Sequence, residues 1–198
     1  MSLDDCTVGQ LLERLAGLDP SAGGGTASLV SAAQGASLLA KAAAVTQKKE
    51  PVARLEELRR EAVEGGSKLL QLAQADGQSY AGLLAAYRLP AGDERLARIQ
   101  QAVELTVETP LQAATLCGQL SDLAGELLAL SKKSIHADVA AGALLLWTGM
   151  RGCLLNAMVN ARLMSDAGKA GSVRRRCDLL MERGQSALQL LSEVESDL

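Results

Sequence analysis

The chain has 198 residues, 48% of them apolar and 22% charged, a balance that excludes a disordered polymer and fits one globular domain over 1–198. Twenty Lys and Arg stand against 23 Asp and Glu, a net charge of −3, and no long basic run exists, so the footprint of a nucleic-acid binder is missing. Trp147, Tyr80 and Tyr87 are the only aromatic residues; a core filled by Leu and Ala suits closely packed helices and suits sheets poorly.

In chain order, Thr7 is placed to cap a short amphipathic helix through Ala16, with Leu11, Leu12 and Leu15 at helical spacing. Gly17 to Gly25 reads as a loop. From Thr26 to about Lys49, Lys41 is the only charge before the final Lys pair, which predicts an Ala-rich central helix buried on nearly all sides. Pro51 fits the first turn of a third helix that runs to Leu89 and is weakened at Gly65-Gly66. Pro90-Ala91-Gly92 makes a turn, Asp93 can cap a fourth helix, and Pro110 is placed to kink it before it ends near Lys132.

A fifth, very apolar helix starts at Ser134 or Asp138 and ends near Ser165, Asp166 and Gly168; a sixth runs from Ser172 to Val194. The expected fold is all-α, a bundle of about six helices, several of them long. No apolar stretch reaches the roughly 18 residues of a membrane span, and Asp4-Asp5 does not suit a signal peptide, so no membrane partner and a cytoplasmic location are expected. Cys6, Cys117, Cys153 and Cys177 lack metal spacing and read as reduced, mostly buried residues.

Four features could carry chemistry. Gly23-Gly24-Gly25-Thr26 lets backbone approach a ligand closely, and the unpaired N–H groups opening the next helix favour an anion or a polar ring edge. The plain alternative is an interhelical turn. Asp138, Asn156 and Asn160 share a narrow stripe of the fifth helix with Gly142, Gly149 and Gly152, which marks either a close helix contact or a cavity wall. At about 1.5 Å per residue, Asp138 stands about 27 Å from Asn156 along a straight helix, too far to share one reacting atom within a chain.

Asp76 sits in the small-residue stretch Ala73 to Tyr80, where burial would raise its pKa and suit it to general acid or base work. Lys48 and Lys49 end the Ala-rich helix, where the helix dipole already accounts for them. His136, the only histidine, reads as a surface or cap residue, since one imidazole completes neither a zinc site nor a Ser-His-Asp triad.

In this order the segments resemble the cyclodeaminase/cyclohydrolase family. Pro20-Ser21-Ala22-Gly23-Gly24-Gly25-Thr26 is similar to its glycine loop, Val45-Thr46-Gln47-Lys48-Lys49 to the end of its Ala-rich helix, and Asp76, Tyr80 and Leu89-Pro90 to its acidic-aromatic segment. Arg98, Gln101 and Pro110 follow, then Ala137-Asp138-Val139 and Asn156-Ala157-Met158-Val159-Asn160. The sequence departs from the family pattern at Pro20, two positions farther from the glycines, at Gln47, and at Ser131-Lys132-Lys133.

The resemblance implies a homodimer that converts a tetrahydrofolate derivative, with no tightly bound cofactor and no metal. The reaction is cyclodeamination of 5-formiminotetrahydrofolate or cyclohydrolysis of 5,10-methenyltetrahydrofolate. Asp138 or Asp76 is the expected proton-transfer residue; Gly23, Gly24, Gly25, Thr26, Asn156 and Asn160 would bind substrate, and Lys48 and Lys49 would meet its glutamate carboxylates. The alternatives are a catalytically diverged folate-binding or structural dimer, and an adaptor bundle with a large exposed apolar patch.

Overall fold

Long runs of Ala, Leu and helix-favouring polar residues between four prolines leave the chain little choice but helices. A computed structural model describes residues 3–49 and 51–197, with side chains for all of these except residue 4 and those from 186 onward. After a 3₁₀ turn at Leu3–Asp5 come α1 (Val8–Ala16), α2 (Gly24–Lys49), α3 (Ala53–Tyr87), α4 (Asp93–Leu130), α5 (Lys133–Ala161) and α6 (Ala167–Asp197), and the described residues contain no strand. The all-α expectation and the helix number both match.

From α2 onward neighbours in sequence pack together, and α2 also packs against α5, so α2, α3, α4 and α5 close a four-helix ring with α6 laid against α5 and α4. Leu29, Leu39, Leu58, Leu69, Leu111, Leu127, Leu146 and Leu154 belong to one buried cluster that runs through the ring. Small residues set its spacing: a Cβ added at Gly149 of α5 would lie 2.6 Å from both Ala32 Cβ and Ser28 O of α2. Only glycine permits that approach, so this part of the Asp138–Asn160 stripe is a helix contact.

Helix boundaries follow local chemistry. Thr7 caps α1 by a reciprocal pair in which Gln10 N–H donates to Thr7 Oγ1 at 3.2 Å and Thr7 N–H donates to Gln10 Oε1 at 2.9 Å. Yet α1 buries no residue, and Leu12 remains exposed. α2 starts at Gly24, before Thr26, because the glycines join its first turn. Pro51 precedes α3, whose N-cap is Val52, and Gly65-Gly66 do not break it: they lie buried where α3 meets Leu120 and Ala36.

Gly92 occupies the N-cap of α4, which places Asp93 and Glu94 in the first turn, where acidic groups favour the helix dipole. α4 runs through Pro110 as one helix. α6 starts five residues before Ser172 because Asp166 Oδ1 accepts from the N–H groups of Gly168 and Lys169 at 2.8 and 3.0 Å. The expected end of α6 at Val194 lies among residues whose side chains are outside the described set.

Two expectations fail for one shared reason. α2 is not buried on nearly all sides: Leu29, Ala36 and Leu39 face inward, whereas Gln34, Ser37, Lys41 and Ala44 are exposed. α2 and α5 are also each long and apolar enough to cross a membrane by length and composition, with 56% and 44% of the apolar window buried in the bundle. Their hydropathy partly serves the core, and the rest forms an outer surface poor in charge.

Candidate functional site

One end of the ring gathers most of the expected residues. The start of α2, the Ala73–Tyr80 stretch of α3, the middle of α4 and the last turns of α5 surround a cavity of about 330 Å³. Gly23, Gly24, Gly25, Thr26, Asp76, Asn156 and Asn160 all line it, joined by Ser21, Ser79, Tyr80 and Thr106.

Asp76 and Gly25 define the centre. A Cβ added at Gly25 would fall 2.1 Å from Asp76 Oδ2 and 3.1 Å from Asn156 Nδ2, so the absent side chain is what lets a carboxylate and an amide face the first turn of α2. The N–H groups opening a helix have no intrahelical acceptor and carry partial positive charge. Asp76 is half-buried, and no hydrogen bond or ion pair engages its carboxylate among the described residues. Burial alone holds its pKa above the ordinary value of 3.8. An unpaired, partly desolvated carboxylate can hold a proton at higher pH than an exposed one and pass it to a nitrogen or oxygen beside it.

Asn160 is fixed by a proline. Pro110 has no N–H, which removes the donor that would bond Thr106 O four residues earlier in α4. Asn160 Nδ2 supplies it instead, at 2.9 Å. The cross-helix hydrogen bond and the cavity wall, alternatives in the sequence, are therefore one feature: the amide nitrogen is committed to α4 while the residue lines the cavity. Thr106 was missed in the sequence, and the proline four residues later is the signal that could have found its carbonyl.

A brace holds the loop. Asp19 accepts from Ser21 Oγ at 2.6 Å, Arg14 Nε at 2.8 Å and Ser21 N–H at 2.9 Å. These bonds, the Ser21 hydroxyl first, lower its pKa from 3.8 to about 2. Thr26 Oγ1 donates to Ser21 O at 3.3 Å, so the loop is tied to the helix it opens. The shifted Pro20 sits inside this brace.

Asp138, Lys48 and Lys49 do not join the cavity. Asp138 is on α5 but belongs to the opposite end of the ring, where its carboxylate pairs with Lys41 Nζ at 2.8 Å. It lies beyond the first turn of α5, so it is not a cap either. Lys48 and Lys49 end α2, and the 26 residues of that helix separate them from Gly24 by about 37 Å at 1.5 Å per residue. Lys49 faces Lys132 and Ser134 across a small surface crevice, so Gln47 and Ser131-Lys132-Lys133, two of the three departures from the family pattern, also lie at this far end. His136 Nε2 is 3.2 Å from Ser131 O there, as a residue near a helix start.

Comparison with known proteins follows the same outline. The profile of the formiminotransferase-cyclodeaminase family matches residues 7–179. A methenyltetrahydrofolate cyclohydrolase of Methylorubrum extorquens is 26% identical over 200 residues, covering 96% of each chain. A formimidoyltransferase-cyclodeaminase of Rattus norvegicus is 26% identical over 205 residues, which are 98% of this chain and 38% of that protein. The crystal structure of formiminotetrahydrofolate cyclodeaminase from Thermotoga maritima superposes with a TM-score of 0.89 at 18% identity, over 98% of this chain and 97% of that one.

Proposed function

Because the chain belongs to the formiminotransferase-cyclodeaminase family, we propose that it is a one-carbon folate enzyme, a formiminotetrahydrofolate cyclodeaminase or a methenyltetrahydrofolate cyclohydrolase. The observation that carries this reading is the unpaired Asp76 carboxylate, set between Gly25 and Asn156 in a cavity large enough to admit a substrate ring.

Both reactions turn on proton transfer at one carbon held between two nitrogens. In cyclodeamination N10 attacks the formimino carbon, its proton leaves, and the departing nitrogen takes up a proton to go as ammonia. In cyclohydrolysis water adds to the methenyl carbon, loses a proton, and the bond to N5 breaks to leave 10-formyltetrahydrofolate. Asp76 supports either sequence by accepting the proton from the attacking group and returning it to the leaving nitrogen. The N–H groups of Gly24, Gly25 and Thr26 and the Asn156 amide orient the ring and its polar edge. Asp138 has no part in this scheme.

The same reading includes a homodimer. A surface groove of about 780 Å³ along α2 and α3 is walled by Val30, Leu38, Val63, Leu70 and Leu145. Two such faces would bury each other, and Val63→Glu is expected to turn dimers into monomers in sedimentation velocity. Activity is tested by adding pure protein to methenyltetrahydrofolate or formiminotetrahydrofolate and following methenyl absorbance. The expected result is enzyme-dependent loss from the first or formation from the second; no change above buffer with either substrate refutes the enzyme and favours a diverged binding protein.

A further inference from the structure

The cleft between the last turns of α5 and the first turns of α6 takes no part in the chemistry above. It has a volume of about 410 Å³, an apolar floor of Leu155, Met158, Val159 and Val173, and two exposed guanidinium groups at its edge, Arg162 and Arg174. No acidic residue among the described ones lines it. Two nearby cations on α6 are paired, Lys169 with Glu104 at 2.5 Å and Arg176 with Glu108 at 2.9 Å. Arg162 and Arg174 pair with no carboxylate among the described residues.

Two unpaired planar donor forks over an apolar floor select for a ligand with both properties: a flat or elongated apolar group ending in carboxylates. A bare inorganic anion would make no use of Leu155 and Val159, which stand 54% and 59% exposed. A wholly apolar segment would make no use of the arginines. The position adds a further constraint. Val159 directly precedes Asn160, and Arg162 lies six residues beyond Asn156, about 9 Å along the helix axis. The cleft therefore opens beside the glycine-loop cavity, on the next face of the same helix.

We propose that the α5–α6 cleft is a carboxylate-binding subsite that holds the aryl-amide dicarboxylate end of the folate whose ring occupies the glycine-loop cavity, with Arg162 and Arg174 meeting the carboxylates. This assignment rests on the folate reading. It replaces Lys48 and Lys49 in that role, since both lie at the far end of α2.

The test is calorimetric titration of wild type, Arg162→Gln/Arg174→Gln and Arg162→Lys/Arg174→Lys with three ligands. They are 5-formyltetrahydrofolate, 5-formyltetrahydropteroate, which lacks the glutamate, and p-aminobenzoylglutamate, which lacks the pterin; circular dichroism confirms folding. Wild type is expected to bind the folate roughly tenfold more tightly than the pteroate, as charge-assisted contacts at an exposed site allow. The glutamine pair should erase that preference and the lysine pair should restore part of it. An unchanged preference in the glutamine pair overturns the proposal, as does equal binding of folate and pteroate by wild type. If neither pterin ligand binds but p-aminobenzoylglutamate does, in an arginine-dependent way, the cleft stands as a carboxylate site and the folate reading falls. If no ligand binds in an arginine-dependent way, the cleft assignment falls.

Discussion

The two ends of the four-helix ring are built from the same helices and place two carboxylates, Asp138 and Asp76, in opposite surroundings. At the far end, Lys41 meets Asp138, and Arg54 grips Glu126 with two bonds of 2.8 Å, all at the surface. At the glycine-loop end, Asp76 is half-buried, faces helix N–H groups and an amide, and has no cation beside it. Exposed pairs of the first kind contribute little and ask little of their surroundings. A buried unpaired carboxylate costs folding energy and is retained only where something else needs it. On the proposed function, the contrast gives the chemistry to the glycine-loop end and leaves solvation to the other.

The hardest test of that contrast is Gly25→Ala. The new Cβ would overlap the Asp76 carboxylate and press on the Asn156 amide nitrogen at 3.1 Å, so the Asp76 side chain must swing out of its place. Turnover should fall by roughly 100-fold, the scale for a displaced acid or base, with about 1–3 kcal/mol lost in denaturant unfolding. A variant as active and as stable as wild type would show that the cavity is not tightly set around Gly25.

Asp76→Asn sharpens the comparison through stability. The folded pKa of Asp76 is raised above its unfolded value of about 3.8, so the folded state binds more protons than the unfolded one between the two values. Stability contributed by this group is full below 3.8 and is lost as pH rises through the folded pKa. The Asn variant lacks that loss. At pH 7 its melting temperature should equal or exceed that of wild type, and the difference should close as pH falls toward 3.8. A variant that is clearly less stable at pH 7 would place a partner on the carboxylate and remove its standing as a free proton carrier.

A double-mutant cycle isolates the proline device. Asn160→Ala leaves Thr106 O without its donor, at a cost of about 1–3 kcal/mol. In the Pro110→Ala background the restored N–H can bond Thr106 O, and the same change should cost much less. Equal costs in the two backgrounds would mean that Asn160 acts by packing alone. The smallest effect belongs to the far end: Lys41→Ala should alter stability by about 0–1 kcal/mol, the range for an exposed pair, with turnover retained. A large loss of turnover would draw that end into the site.

Much of this layout is readable in the sequence. Thr7, Pro90-Ala91-Gly92 and the charge-free run after Gly25 mark helix limits and one of the ring's two most apolar helices, because caps, fixed dihedrals and hydropathy act locally. The glycine loop, Asp76, Asn156 and Asn160 were legible as candidates and do meet. Asp138 was harder: angular periodicity puts it on the Asn156 stripe, and only the axial rise separates the two. The carbonyl of Thr106 is hidden because its availability comes from an N–H that Pro110 does not have; Arg174 is visible in the basic cluster Arg174-Arg175-Arg176, which reads as a solvated helix start sooner than as a phosphate clamp, but its isolation and that of Arg162 depend on which glutamates α4 presents to α6. The outward face of α2 is exposed where hydropathy predicts burial, since hydropathy reports how apolar a helix is and not what covers it.

One assay bears most directly on the division between the two ends: methenyl absorbance under matched conditions for wild type, Asp76→Asn and Asp138→Asn, each shown to be folded. Loss of at least about 100-fold in Asp76→Asn, with Asp138→Asn close to wild type, is the result expected from an unpaired carboxylate in the cavity and an ion-paired one outside it. Full activity in Asp76→Asn, or its loss in Asp138→Asn alone, would contradict the assignment of the chemistry to the glycine-loop end.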